Sequence, residues 1–379
     1  MKPFFRHDRR PIDLIPSLLV LAVAFPTSAF AVPDGKPFNP DLSVNFLGLI
    51  RDNTAADENR KNGPPYNGLS FQEAEIQFYS NVDAYLKAVA LFSIAEDAGK
   101  FGIDPEEVYA ETITLPYVTL RAGKYKLALG KHNQLHTHAF PFIDPPLLQS
   151  KIIGEEGLNA AAVSASALIP LPWFSEFTAQ AYSLSDDNLY GDSSTTPGTT
   201  ISAPAGKTGA LGRFRNLFEL GDDATLELGA SAASGKNAYG YESTAYGADV
   251  TLKWRPAEGG KYHAVIWNTE YLGSRRKGRL SKAGNGQNDE KIGGAASYVQ
   301  FQFAERWWIQ ARAEILGAPA NASEPVHTKQ SALIAFFPSE FSGLRVQYDH
   351  ENNHARPRTD HAVTLQYNVT IGAHPAHAY

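Results

Sequence analysis

The chain has no cysteine among its 379 residues and a single methionine. Absent cysteine excludes a disulfide scaffold, a lipid-modified N-terminal cysteine and thiolate metal sites. Past the first thirty residues no continuous apolar run approaches the ~20 residues that a membrane-spanning helix needs. No Ser–His–Asp or Cys–His arrangement is legible, so nothing here predicts an enzyme. Neither sign of charge dominates, with 34 Lys and Arg against 40 Asp and Glu, and a nucleic-acid partner is not expected.

What is present starts with an export signal. Lys2, Arg6, Arg9 and Arg10 precede an apolar run from Leu14 to Phe25, and Ala29-Phe30-Ala31 is a small-residue cleavage site. Residues 1–31 therefore read as a secretory signal peptide, and 32–379 as the mature domain. An exported chain without helical spans is either a soluble periplasmic protein or a β-barrel. The 17 Tyr, 21 Phe and 31 Gly lean toward the barrel.

Strand-like segments then run from about Leu42 to Ile371, joined by connections that alternate short and long. Sixteen segments can be drawn, with long connections at 53–69, 97–105, 131–158, 186–208, 235–243, 273–291, 317–328 and 351–360. Short turns fall near 82–84, 115–116, 170–172, 221–223, 256–260, 304–306 and 338–342. The prediction is an all-β fold, a transmembrane antiparallel barrel of about sixteen strands, its short turns periplasmic and its long loops outside. Period-two alternation supports it: Trp307, Ile309, Ala311, Ala313 and Ile315 form one row, Gln310, Arg312 and Glu314 the other. Aromatics crowd the short turns (Tyr85, Tyr117, Trp173, Phe174, Trp254, Trp307, Trp308, Phe336, Phe337 and Phe341), which reads as a membrane-interface girdle.

The rows assigned to the lumen carry both signs. Glu73, Glu75, Glu111, Arg213, Arg215, Glu227, Asp249, Lys253, Arg255, Arg312, Glu314, Arg345 and Asp349 are the predicted pore-lining residues. A water-filled interior solvates such groups, and their arrangement biases ion passage. The third long loop, 131–158, differs from the others in being rich in histidine and phenylalanine, too apolar to stand in water. It is predicted to fold inward as a constriction carrying His132, His136, His138, Phe140 and Asp144. Three imidazoles with a carboxylate downstream suit zinc, copper or nickel, so His132, His136 and His138 are the metal candidates and zinc the one candidate cofactor. His350-Glu351-Asn352-Asn353-His354 spells HExxH, but that motif binds zinc only on a helix and no helical periodicity surrounds it. Arg275, Arg276, Lys277, Arg279 and Lys282 make the densest basic run, placed in the sixth loop, where it would draw anions or pair with lipopolysaccharide phosphates.

Several stretches go beyond generic strands. Phe71-Gln72-Glu73-Ala74-Glu75, Ser80-Asn81-Val82-Asp83, Glu107 with Glu111, Gly123 with Gly130, and His132-Asn133-Gln134-Leu135-His136-Thr137-His138-Ala139-Phe140 followed by Asp144-Pro145-Pro146 stand out. Together they resemble a Gram-negative outer-membrane family related to the phosphate-selective porins, whose members are also labelled zinc-regulated outer-membrane receptors. The resemblance implies a porin-like barrel in the outer membrane whose third loop narrows the channel. It also implies passive diffusion of small hydrophilic solutes or ions, lipid and lipopolysaccharide as surroundings, and a homotrimer. The alternative it implies is a zinc-linked receptor using the loop histidines. Phosphate selectivity does not carry over, because the lumen cations here are interleaved with carboxylates.

Overall fold

The structure is a computed structural model that describes residues 40–54, 67–97, 100–154, 156–184, 189–191, 207–280, 287–318, 326–353 and 359–372. The expected signal peptide (1–31), Lys282, His354 and the C-terminal segment with its Pro375 and Tyr379 lie outside the described residues, as does most of the fourth long loop.

Sixteen strands form one closed antiparallel barrel. They are β1 (Asp41–Asn53), β2 (Gly68–Asn81), β3 (Leu86–Asp97), β4 (Lys100–Thr112), β5 (Val118–Lys126), β6 (Asn159–Leu168), β7 (Phe174–Ser183) and β8 (Thr208–Leu220), then β9 (Ala224–Lys236), β10 (Glu242–Trp254), β11 (Ala264–Leu280), β12 (Gln287–Ala304), β13 (Trp307–Leu316), β14 (His327–Ser339), β15 (Ser342–Asn353) and β16 (Thr359–Gly372). Each strand pairs with its sequence neighbours, and β1 closes on β16 from Ser43↔Gly372 to Asn53↔Ala362. Closure leaves no unpaired edge, which a lipid-embedded sheet requires. Among the described residues no helix is long and apolar enough to cross a membrane.

The alternation expected from the sequence sets which residues face out. On β13, Ile309 and Ile315 are exposed while Gln310, Arg312 and Glu314 are buried. On β15, Leu344, Val346 and Tyr348 point outward against Arg345, Gln347 and Asp349. Such exposed apolar rows with polar inner rows invert a soluble sheet, and match a barrel whose outer face is solvated by lipid. Outward aromatics pack on one another near the short turns, as in Trp307–Phe336 at 4.6 Å and Trp173–Phe218 at 5.5 Å.

Some connections differ from expectation. Residues 97–105 were expected as a long loop, yet β3 and β4 continue to Asp97 and from Lys100. The sixth loop shrinks likewise, because β11 and β12 extend as the longest hairpin, of 17 and 18 residues. Backbone pairing there continues past the apolar rows, so polarity alone misplaced the strand ends. The basic run is thereby split by strand alternation: Arg275 is exposed and pairs with Asp289, while Arg276 is buried and turns inward. The girdle is also smaller than expected. Trp308 lies on the inward row of β13 with Gln310 and Arg312 and borders the interior cavity.

Candidate functional site

Residues 127–158 form the third loop and lie inside the barrel, tied to the wall at many points. Two short 3-10 turns (His132–Gln134 and Thr137–Ala139) and one helix, α1 (Leu147–Ile153), shape it. Pro145 and Pro146 lead into α1, and Gly154 ends it at φ 85°, an arrangement of proline before and glycine after that fits helix-end geometry. The first amide of α1 donates to the Glu314 carboxylate at 2.6 Å, so a wall anion satisfies the helix N-terminus.

One side of the loop is held by apolar burial. Leu148, Ile152, Ile153 and Leu158 pack with Tyr125, Leu127 and Leu129 against inward residues Tyr182, Leu211, Leu272, Ile292 and Leu316. A second cluster joins Phe142 and Ile143 to Leu49, Leu333 and Ala335. Burying a side chain such as Ile152 stabilises the docked loop by roughly 1.5–3 kcal/mol. The charged rows predict an aqueous interior; on this side of the loop the lumen is instead filled by packed apolar side chains.

Polar ties complete the attachment. Asp144 accepts from Arg312 at 2.9 Å, from Lys329 at 2.5 Å and from Gln347 at 2.6 Å, and so reaches three successive strands. Burial works against its charge, but Arg312 and Lys329 hold its carboxyl well below the ordinary carboxylate range. Arg345 donates to the Phe140 carbonyl at 2.6 Å and Gln347 accepts from the Ile143 amide at 2.8 Å. Lys131 pairs with Glu227 at 2.8 Å and donates to Thr251 at 3.0 Å. Glu270 accepts from the His132 amide at 3.0 Å. Gly130 sits at φ 68°, and a Cβ there would meet a Glu270 carboxylate oxygen at 1.9 Å, so only glycine lets the loop approach this wall.

The three histidines do not meet at one point. His132 is buried against Phe140, with ring centroids 4.6 Å apart. Desolvation, reinforced by Arg312 and Lys126, lowers its pKa to about 3. His136 and His138 are stacked 6.1 Å apart on the other side of the loop. His136 contacts Glu106 at 2.8 Å and Glu107 at 3.5 Å, and His138 contacts Glu75 at 2.5 Å. Burial would lower the pKa of His136, but the hydrogen bonds to Glu106 and Glu107 raise it to about 10.

The predicted pore-lining residues divide into two groups. Lys253, Arg255 and Arg345 border the open cavity. Arg213 and Asp249 pair with each other at 2.9 Å, and Arg312 with Glu314 at 2.9 Å. Glu111 is shared by Lys87 and Arg121, Arg215 pairs with Glu176 at 3.2 Å, and Asp349 lies 3.7 Å from Lys329. Glu73 and Glu75 are buried beneath the loop. Glu106 and Lys126 also bind the loop, and Lys131 ties the loop to the wall, but none of the three was singled out from the sequence. The adjacent pair Glu106-Glu107 was the available signal, because a regular strand would turn one of them outward.

Beneath the loop lies a cavity of about 1290 Å³. Its roof is Lys131, His132, Leu135 and His138 to Pro141; its lower rim is the short-turn end, including Asp222, Asp223, Glu340 and Phe341. Lys253, Arg255 and Arg345 share its lining with Glu219, Asp222 and Glu340, so the vestibule carries both signs.

No family model matches the chain. An uncharacterized protein of Aquifex aeolicus (strain VF5) is 26% identical over 340 residues, covering 82% of this chain and 70% of that protein. Among solved structures, an anion-selective porin from Comamonas acidovorans superposes with a TM-score of 0.57 at 10% identity, covering 88% of this chain and 99% of that one. Salmonella typhi OmpF in complex with daunomycin gives 0.56 at 12% identity, covering 88% and 97%. A trimer form of OmpT, an outer-membrane protein of Vibrio cholerae, gives 0.52 at 8% identity, covering 88% and 99%. At these identities the likeness is one of fold, and the fold is that of the outer-membrane porin barrels.

Proposed function

We propose that the chain is a passive diffusion channel of a Gram-negative outer membrane, admitting small hydrophilic solutes or ions. The observation that carries this reading is the mixed-charge cavity beneath an inward, wall-anchored loop. A packed barrel with no transport role has no need of such a vestibule, whereas a channel needs an aqueous path narrowed at one level. The third loop supplies that narrowing, with Lys131, His132, His138 and Phe140 on its cavity face. Apolar outward rows favour lipid as the surrounding medium. A homotrimer is the assembly proposed, by analogy with the trimeric Vibrio barrel.

Purified protein in a planar bilayer is expected to give discrete conductance steps. A bilayer that stays silent at protein levels sufficient for a known porin overturns the channel reading. Cross-linking in native membranes is expected to yield a band at three times the chain mass.

A further inference from the structure

The side of the third loop that faces β2 and β4 holds an unusual group of buried ionisable side chains. Glu73 and Glu75 sit two apart on β2 and are 8% and 2% exposed; Glu106 on β4 is 4% exposed. A β-bulge makes the last of these available. Leu91 pairs with Glu107 and Phe92 with Pro105, so Glu106 is the extra residue of β4. The bulge breaks the alternation and lets two consecutive carboxylates, Glu106 and Glu107, both reach His136. Bulges that re-aim a side chain in this way recur next to functional sites.

Within the group, Glu75, Glu106 and His136 offer donor atoms that all lie within 4.8 Å of one another. Glu75 is enclosed, and besides His138 the side chain that hydrogen-bonds it is a second carboxyl group, Glu73. Three enclosed carboxyl groups crowded together are costly to keep charged, and a bound cation is one way to offset that cost. His138 holds Glu75 from the other side at 2.5 Å, in the position of an orienting outer partner.

We propose that Glu75, Glu106 and His136 form a binding site for a divalent transition-metal ion of the zinc class, with His138 positioning the Glu75 carboxylate. A mixed imidazole and carboxylate donor set suits zinc and its neighbours, whereas calcium and magnesium prefer oxygen alone. On binding, the metal takes the place of the proton between His136 and Glu106, and that proton is released to solvent. Of this group, His138 borders the vestibule as part of its roof. The ion would pin the loop to β2 and β4. This site differs from the three-histidine set expected from the sequence, because His132 faces elsewhere. The proposal does not rest on the channel reading, since binding is measured without current.

The test uses full-length barrel folded in detergent, stripped with a chelator, then titrated with Zn²⁺ by calorimetry and with Co²⁺ by absorption. One ion per chain is expected, with Co²⁺ bands showing nitrogen and oxygen ligation, and with Mg²⁺ failing to compete at equal concentration. Glu75→Gln and Glu106→Gln should each weaken Zn²⁺ binding at least ~10-fold, the scale on which even outer partners act. His327→Gln, whose ring pairs with Glu351 away from the loop, should bind as the parent does. Folding of each variant is checked by heat-dependent mobility on gels. No binding by the parent overturns the proposal, and so does parent-like affinity in both glutamate variants. If a variant does not fold, the parent's Co²⁺ spectrum decides alone: absence of nitrogen-ligated bands overturns the site.

Discussion

At the residue scale, Asp144 is the most heavily used side chain of the third loop. One carboxylate serves Arg312, Lys329 and Gln347, whose own side chains are all but enclosed. Replacing it by asparagine leaves Arg312 with Glu314 and Lys329 with the more distant Asp349, which costs less than the ~3 kcal/mol of a buried charge left wholly unpaired. Asp144→Asn should therefore lower the unfolding midpoint in denaturant. It should also make single-channel current noisier, because the loop would leave the wall more often. Unchanged stability together with unchanged noise would show that the clamp is redundant with the apolar packing. The sequence marked Asp144 through its place before two prolines. It could not mark Glu106, whose inward aim depends on a bulge that only pairing with β3 reveals.

At the element scale, α1 carries the apolar attachment. Ile152 has no exposed surface, and Ile152→Ala should cost about 2–5 kcal/mol, as large-to-small changes in packed cores do. The loss should be local. Amide exchange across 127–158 is expected to quicken while the strand amides keep their protection, because the β-ladders do not run through the helix. Exchange that quickens equally in loop and strands would mean that loop and barrel unfold as one unit. Strand number and facing were legible in the sequence because alternation is a local, period-two signal, as on β13 and β15. The helix was not read from it, since seven residues are too few for helical periodicity, although Pro146 and Gly154 bracket it. The ends of β11 and β12 escaped for the opposite reason: polar residues continue to pair beyond the membrane.

At the scale of the whole molecule, acid should undock the loop. His132 is held neutral inside, with its pKa lowered to about 3, by burial and by Arg312 and Lys126, against Asp144 and with Glu270 on its amide. Its folded-state pKa lies below the ordinary value, so its contribution is present above about pH 6.5 and fades as pH falls toward 3. Asp144, held charged by Arg312 and Lys329 near Glu314 and Asp349, acts in the same direction: its contribution is present above about pH 4 and is lost on further acidification. Reconstituted channels are therefore expected to become noisier, with larger steps, at about pH 4 than at pH 7. Identical traces at the two values would separate loop docking from these groups. Containment in a barrel and an inward third loop were both legible, the first from rhythm and the second from composition. The dry packing inside the lumen was not, because its residues are contributed by strands far apart in the chain.

The two sets of loop contacts have a consequence for how the barrel closes. His138 reaches Glu75 on β2, and two residues later the Phe140 carbonyl takes a hydrogen bond from Arg345 on β15. Those strands stand on either side of the β1–β16 junction, where the two ends of the sheet meet. The loop is thus a strap laid across the seam from inside. A strap fastened to both flanks raises the effective concentration of β1 for β16, so the final zipping is an intramolecular search over a few ångströms.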